Sequence, residues 1–113
     1  MITSDTVERV SVTEQNDRLR RTGVGGSVVI TPGVQALSEK SLAAIMAAVA
    51  AFDDFTPAND PYGEHDFGHL EFEDQSLFFK IDAYDLDLTY GSPDPTDPAV
   101  TRRVMTVMLA EEY

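Results

Sequence analysis

The sequence predicts an α+β domain, in which a small antiparallel sheet of three to four strands packs against two main helices, with a short N-terminal helix before them. The observations behind this are one helical stripe over residues 38–52, a β-branched run at residues 27–31 and two alternating stretches within residues 69–84. At 113 residues and 42% hydrophobic composition, the chain has room for one domain and is too apolar for disorder. We expect a frayed N-terminus over residues 1–12 and a single domain over residues 13–113.

The first half of the chain predicts a short helix, a strand and a long helix. Residues 13–21 suit a helix because Arg20 and Arg21 lie near its C-terminal end, where cations are favoured, and Gly23 supplies the cap. Residues 27–31 read SVVIT, which is typical of a buried strand. The long helix begins near Ser38, and its apolar stripe has three- and four-residue spacing: Leu42, Ile45, Met46, Val49 and Phe52.

The second half predicts a loop, a hairpin and a final helix. Two prolines and two glycines within residues 53–68 predict a long ordered loop. Alternating apolar residues on both sides of Asp74-Gln75 predict a hairpin, formed by Leu70 and Phe72 and by Leu77, Phe79, Ile81 and Ala83. Leu86, Leu88 and Tyr90 extend the alternation toward a further strand. Asp97-Pro98 reads as the start of a helix over residues 98–111, with Val100, Val104, Val107 and Met108 as its buried stripe.

The charge distribution excludes several classes of function. The net charge is −12, and residues 53–97 hold thirteen acids against Lys80 as the single base. Such a field repels nucleic-acid phosphates and anionic membranes and attracts basic protein surfaces, so we expect neither direct nucleic-acid binding nor membrane binding. The absence of cysteine excludes disulfides and thiolate zinc sites. It fits a reducing compartment, and we expect a cytoplasmic protein.

No segment carries a specific catalytic or cofactor motif, so the sequence assigns neither catalytic residues nor a cofactor. The glycines after Arg20-Arg21 follow a predicted helix and precede a strand, the reverse of a phosphate loop, which favours a helix cap. Candidate metal ligands are crowded in residues 60–69: Asp60, Glu64, His65, Asp66 and His69. In an extended segment His65 and His69 would lie ~13 Å apart, which disfavours a shared metal. A small metal-dependent hydrolase using this loop nevertheless stays open as an alternative.

The leading hypothesis is an acidic surface that binds a partner protein. Lys80, Asp82 and Tyr84 share the outer face of their strand at a spacing of ~6.6 Å, and Asp85 and Asp87 follow. This is either a solvated face or a row of carboxylates that imitates phosphates and engages a basic groove. The hypothesis assigns partner contacts to Asp53, Asp54, Asp60, Tyr62, Glu64, Asp66, Asp82, Tyr84, Asp85 and Asp87. A structural homo-oligomer, with the hairpin edge pairing between copies, is a third alternative.

Four segments carry a family resemblance: QNDRLRRTG (15–23), VVITPGV (28–34), AFDDFTPANDPYGEHDFG (51–68) and FKIDAYDLDLTYGSPDPTDPAVTRRVMTVMLAEEY (79–113). Together they resemble an uncharacterised bacterial domain-of-unknown-function family of small acidic proteins found on plasmids and other mobile elements. The resemblance implies no activity. It implies a context, since small acidic proteins of mobile elements often antagonise host defences. A nucleic-acid-mimicking inhibitor of a restriction enzyme or CRISPR complex, whose channels are basic, is the corresponding expectation.

Overall fold

A computed structural model describes residues 10–113 of the chain as one layer of helices on one layer of sheet. The helices are α1 (Val12–Thr22), the single-turn α2 (Pro32–Gln35) and α3 (Glu39–Ala51). The strands are β1 (Ser27–Ile30), β2 (Phe67–Phe72), β3 (Gln75–Tyr84) and β4 (Arg102–Leu109), followed by a 3-10 turn at Ala110–Glu112. The α+β class and the number of strands agree with the sequence prediction. The predicted frayed N-terminus falls mainly on residues 1–9, which lie outside the described residues.

The sheet has the order β1-β4-β3-β2, with β4 and β3 as its inner strands. β2 and β3 form an antiparallel hairpin with Leu70 opposite Leu77, and β3 and β4 are antiparallel with Phe79 opposite Val107. β1 joins β4 in parallel, Ser27 opposite Val104. The sheet is therefore mixed, whereas the sequence predicted antiparallel pairing throughout.

One face of the sheet packs against the helices, and the other is uncovered by any described helix. Leu77, Phe79 and Ile81 of β3 are buried together with Met105, Val107 and Leu109 of β4. The helices add Leu19, Val34, Ile45 and Val49 to this core. Because side chains alternate along a strand, the opposite face carries Phe78, Lys80, Asp82 and Tyr84 of β3. No helix among the described residues is long and apolar enough to span a membrane.

The structure confirms the predicted helices α1 and α3 and the β2–β3 hairpin, and it shows the contacts at their ends. Ser11 accepts a hydrogen bond from the Glu14 amide as the N-cap of α1, and Gly23 ends this helix in the left-handed conformation at φ 76°. Ser38 caps α3 in the same way, accepting from the Ser41 amide. The hairpin turn falls at Glu73-Asp74, one residue earlier than predicted, and Leu70 and Leu77 still face the core together.

The predicted helix over residues 98–111 is wrong, because most of that segment forms β4. Arg103, Met105, Val107 and Leu109 are buried at two-residue spacing, and the intervening residues are largely β-branched, which favours a strand. The Asp97 carboxylate accepts from the Ala99 amide and forms a short turn, so Asp97-Pro98 begins no helix.

The predicted strand through Leu86, Leu88 and Tyr90 is also wrong. β3 ends at Tyr84, and the Asp85 amide donates to the Tyr90 carbonyl at 2.8 Å, which closes a turn. Leu88 has φ 58°, a left-handed conformation that breaks strand geometry. Asp85 and Asp87 consequently lie in this turn and do not prolong the row of Lys80, Asp82 and Tyr84.

Candidate functional site

Residues 52–66, between α3 and β2, form an irregular loop that is fastened to helix α1. The Thr13 hydroxyl donates to the Gly63 carbonyl at 2.6 Å, and the Asn16 amide donates to the Glu64 carbonyl at 2.9 Å. These side chains donate to two loop carbonyls that have no backbone hydrogen-bond partner in a described helix or in the sheet. The predicted long ordered loop is thus anchored along one side by α1.

Asp60 is a structural residue of this loop. It is only 8% exposed, and its carboxylate accepts hydrogen bonds from the backbone amides of Glu64 at 3.1 Å and His65 at 3.2 Å. Both oxygens are therefore used to hold the turn in place. The sequence assigned Asp60 to partner contact, but the structure gives its carboxylate to the loop backbone.

His65 connects the loop to the ion pair between Asp17 and Arg20, in which Arg20 is buried and Asp17 is partly exposed. Its Nδ1 lies 3.0 Å from the Asp17 carboxylate, and its ring stacks on Phe55 at a centroid distance of 4.0 Å. The same carboxylate accepts from the buried guanidinium of Arg20 at 2.8 Å. Burial alone would raise the pKa of Asp17, but the hydrogen bonds from Arg20 and His65 outweigh burial and lower that pKa. Asp17 is therefore held ionised between two donors.

Three of the predicted acids, Glu64, Asp66 and Asp82, line one small cavity of about 190 Å³, which we call the acidic pocket. Asn16 and Pro95 contribute to its wall. Burial raises the pKa of Asp66, and the nearby charges of Asp60 and Asp82 raise it further. Burial is the larger cause, and a cationic group entering the pocket would offset both the burial of Asp66 and the repulsion from Asp60 and Asp82.

The predicted outer row on β3 is present next to the acidic pocket. The Lys80 ammonium donates to the Asp82 carboxylate at 2.8 Å, and this hydrogen bond raises the pKa of Lys80. The Tyr84 hydroxyl lies 3.5 Å from the same carboxylate oxygen. The row therefore carries one carboxylate, Asp82, which already has a cation as its neighbour.

The other predicted contact residues do not line the acidic pocket. Asp53 and Asp54 are exposed just after α3, and Tyr62 is 86% exposed at the tip of the loop. Asp85 accepts from the Thr89 amide at 2.9 Å, and Asp87 is exposed in the same turn. Of the ten predicted residues, the acidic pocket gathers three.

The candidate metal ligands separate into different clusters. His65 faces Asp17, whereas His69 lies on β2 with its Nε2 2.6 Å from the Ser76 hydroxyl. Within residues 10–113, no three His, Asp or Glu side chains are placed to hold a metal ion. The two candidate histidine ligands therefore lie in different parts of the fold.

Two arginines, Arg20 and Arg103, are buried, which the sequence analysis did not predict. The Arg20 guanidinium donates to the carbonyls of Val49, Ala50 and Phe52, and so caps the C-terminal end of α3. Within residues 10–113, Arg103 donates to three neutral oxygens, those of Asn16, Gln15 and Pro95. A signal was present: Gln15, Asn16, Leu19 and Arg20 share one face of α1, a mostly polar stripe that faces inward.

Comparison with known proteins returns one family. A family model described as "Protein of unknown function (DUF3768)" matches residues 30–112, which run from the end of β1 through the 3-10 turn. No curated protein and no solved structure matches the chain.

Proposed function

The chain belongs to the DUF3768 family of proteins of unknown function, and from that premise we propose that it is a non-enzymatic binding module whose acidic pocket receives a basic side chain of a partner protein. The observation that carries the proposal is the crowding of Glu64, Asp66 and Asp82 around one cavity in a chain of net charge −12. A lysine or arginine entering the cavity would replace carboxylate repulsion by attraction.

The surroundings of the acidic pocket favour a protein partner. Tyr84 stands beside Asp82 on the uncovered face of the sheet, and tyrosine provides both apolar area and a hydrogen bond at interfaces. The charge of residues 53–97 repels nucleic acid and attracts basic protein surfaces from a distance. This electrostatic attraction raises association rates at low salt and weakens as salt is added.

The finer part of the proposal concerns the kind of partner. We propose that the basic surface is the nucleic-acid channel of a host defence protein, such as a restriction enzyme or a CRISPR complex, in the cytoplasm of a bacterium that carries a mobile element. The family resemblance implies that context. In this proposal Asp82 and the carboxylates of the acidic pocket occupy positions that phosphates would take.

A capture experiment with paired variants tests the proposal. The variant E64Q/D66N/D82N neutralises the acidic pocket, and E71Q/E73Q/D74N makes the same charge change at the hairpin turn, ~20 Å away along β2. Captures from bacterial lysate are made at low salt and at ~0.15 M salt, where exposed charges are screened beyond ~8 Å. We expect proteins retained by the wild type and the hairpin variant at the higher salt to be lost with the pocket variant.

Two further readouts make the test decisive. Short duplex DNA added to the captured complex should displace a partner that is held through its nucleic-acid channel. If the DNA does not displace the partner, the nucleic-acid mimicry is contradicted, but binding at the acidic pocket is not. The pocket variant should fold, since neutralising Asp66 removes a partly buried charge and Lys80–Asp82 is a partly exposed pair worth at most ~1 kcal/mol. If the folded pocket variant retains the same proteins as the wild type, the proposal is wrong.

A further inference from the structure

A second cavity, larger than the acidic pocket, lies on the uncovered face of the sheet. It measures about 690 Å³ and crosses the first residues of β1 and β4 and the end of β3. Its walls include Val29, Val104 and Tyr84 from the strands, Leu88 from the turn after β3, and Arg102. We call it the arginine cleft. Its volume falls in the range of sites that hold small organic ligands.

The arginine cleft has the opposite charge from the rest of the molecule. The chain has twenty acids and eight bases, yet neither Asp nor Glu is among the described residues that line the cleft. Arg102 lies directly across from Tyr84 in the β3–β4 pair. Its Nε donates to the Leu86 carbonyl at 3.0 Å, which fixes the guanidinium, and it forms no ion pair with a residue of the described chain. The terminal nitrogens of Arg102 therefore remain available to an anion.

Part of the wall of the arginine cleft is apolar and exposed. Val29 is 45% exposed and Leu88 is 54% exposed, although both are large hydrophobic side chains. Leu88 also holds a left-handed backbone conformation at φ 58°, which places its side chain as a wall of the cleft at a cost in strain. Arg103 also lines the cleft, but its guanidinium donates to Asn16, Gln15 and Pro95, which leaves Arg102 as the cationic group beside the apolar part of the wall. Apolar surface beside a few placed polar groups is the common composition of a ligand site.

We propose that the arginine cleft binds an amphipathic organic anion, whose charged group pairs with Arg102 while its apolar body lies against Val29, Leu88 and the Tyr84 ring. The guanidinium supplies paired N–H donors of the kind that recognise carboxylate, sulfonate and phosphate groups. This site shares Tyr84 with the surroundings of the acidic pocket, but its ligand does not depend on the protein partner proposed above.

The test compares two fluorescent probes that differ in charge. 1-Anilinonaphthalene-8-sulfonate carries an anionic group on an aromatic body, and N-phenyl-1-naphthylamine is its neutral counterpart. We expect saturable binding of the sulfonate to the wild type with one site per chain. R102Q should weaken it about tenfold, the size of a lost charge-assisted hydrogen bond, and should leave the affinity for the neutral probe unchanged.

Two other variants distinguish the cleft from general charge and surface effects. R21Q removes one positive charge from an arginine whose side chain is 57% exposed and that does not line the cleft, so its sulfonate affinity should equal that of the wild type. L88N removes the apolar wall, should weaken both probes, and should fold because asparagine tolerates positive φ. The proposal is overturned if R102Q binds the sulfonate as the wild type does, if R21Q weakens it equally, or if no saturable binding occurs at millimolar probe.

Discussion

Replacing Arg20 by methionine should remove a large part of the stability of this domain. The guanidinium is 0% exposed and donates to three carbonyls at the end of α3, at 2.9 Å from Val49, 3.0 Å from Ala50 and 2.7 Å from Phe52. It also binds Asp17 and lies 5.3 Å above the Phe55 ring. Each hydrogen bond to a charged group contributes about 1.5–3 kcal/mol, and removing one partner of a buried ion pair costs about 3–5 kcal/mol.

We expect R20M to lower the free energy of unfolding by about 3–5 kcal/mol, because methionine retains part of the apolar contact while the carbonyls lose their donor. Urea denaturation followed by circular dichroism measures this without the charge screening that guanidinium would add. The matched control is R21M, since the Arg21 side chain is 57% exposed and 3.9 Å from Asp17. That variant should change stability by less than about 1 kcal/mol. A loss below about 1 kcal/mol in R20M would refute the capping role of Arg20.

Two other substitutions test contacts that close the fold. G26A should destabilise the domain by about 1–3 kcal/mol, because the added Cβ would overlap the Arg103 carbonyl oxygen, whereas G91A meets no atom within 4 Å and serves as its control; equal stability of the two variants in urea would contradict this. E112Q should be less stable than the wild type at neutral pH. Hydrogen bonds from the Thr31 hydroxyl and the Leu109 and Gly33 amides lower the pKa of Glu112, so its stabilisation is present above the ordinary glutamate pKa and is lost as pH falls through the lowered one. The difference between the two proteins should therefore shrink on acidification, and a difference independent of pH would contradict this assignment.

Local sequence signals predicted those elements whose apolar pattern fits one period. Helix α3 and the β2–β3 hairpin have clear periods of 3.6 and 2, with Ser38 as a cap and a turn between the strands. Residues 100–108 fit both periods, since Val104 and Val107 match a helix stripe while Met105 and Val107 match a strand. This segment forms a strand because it lies between β3 and β1 and pairs with both. Such pairing of distant strands produces no local pattern in the sequence.

The same distinction applies to the candidate-site residues: local patterns predicted some of their positions, and contacts between distant residues determined the others. The outer row of Lys80, Asp82 and Tyr84 followed from strand alternation and is present. The roles of Asp60 and His65 depended on contacts with their own loop and with Asp17, 48 residues away from His65 in the chain. The arginine cleft joins residues of β1, β3 and β4, and its existence depends on a parallel strand pair that the sequence did not predict.

The position of β4 between β1 and β3 has a consequence for how the chain acquires its structure. β4 is the last of the four strands to be synthesised, and it separates β1 from β3. Until residues 102–109 emerge, β1 has none of the described strands beside it to hydrogen-bond, and β3 has β2 as its only neighbour. Insertion of this one segment then assembles three strands at once, so folding should be strongly cooperative and its slow step should be the docking of β4.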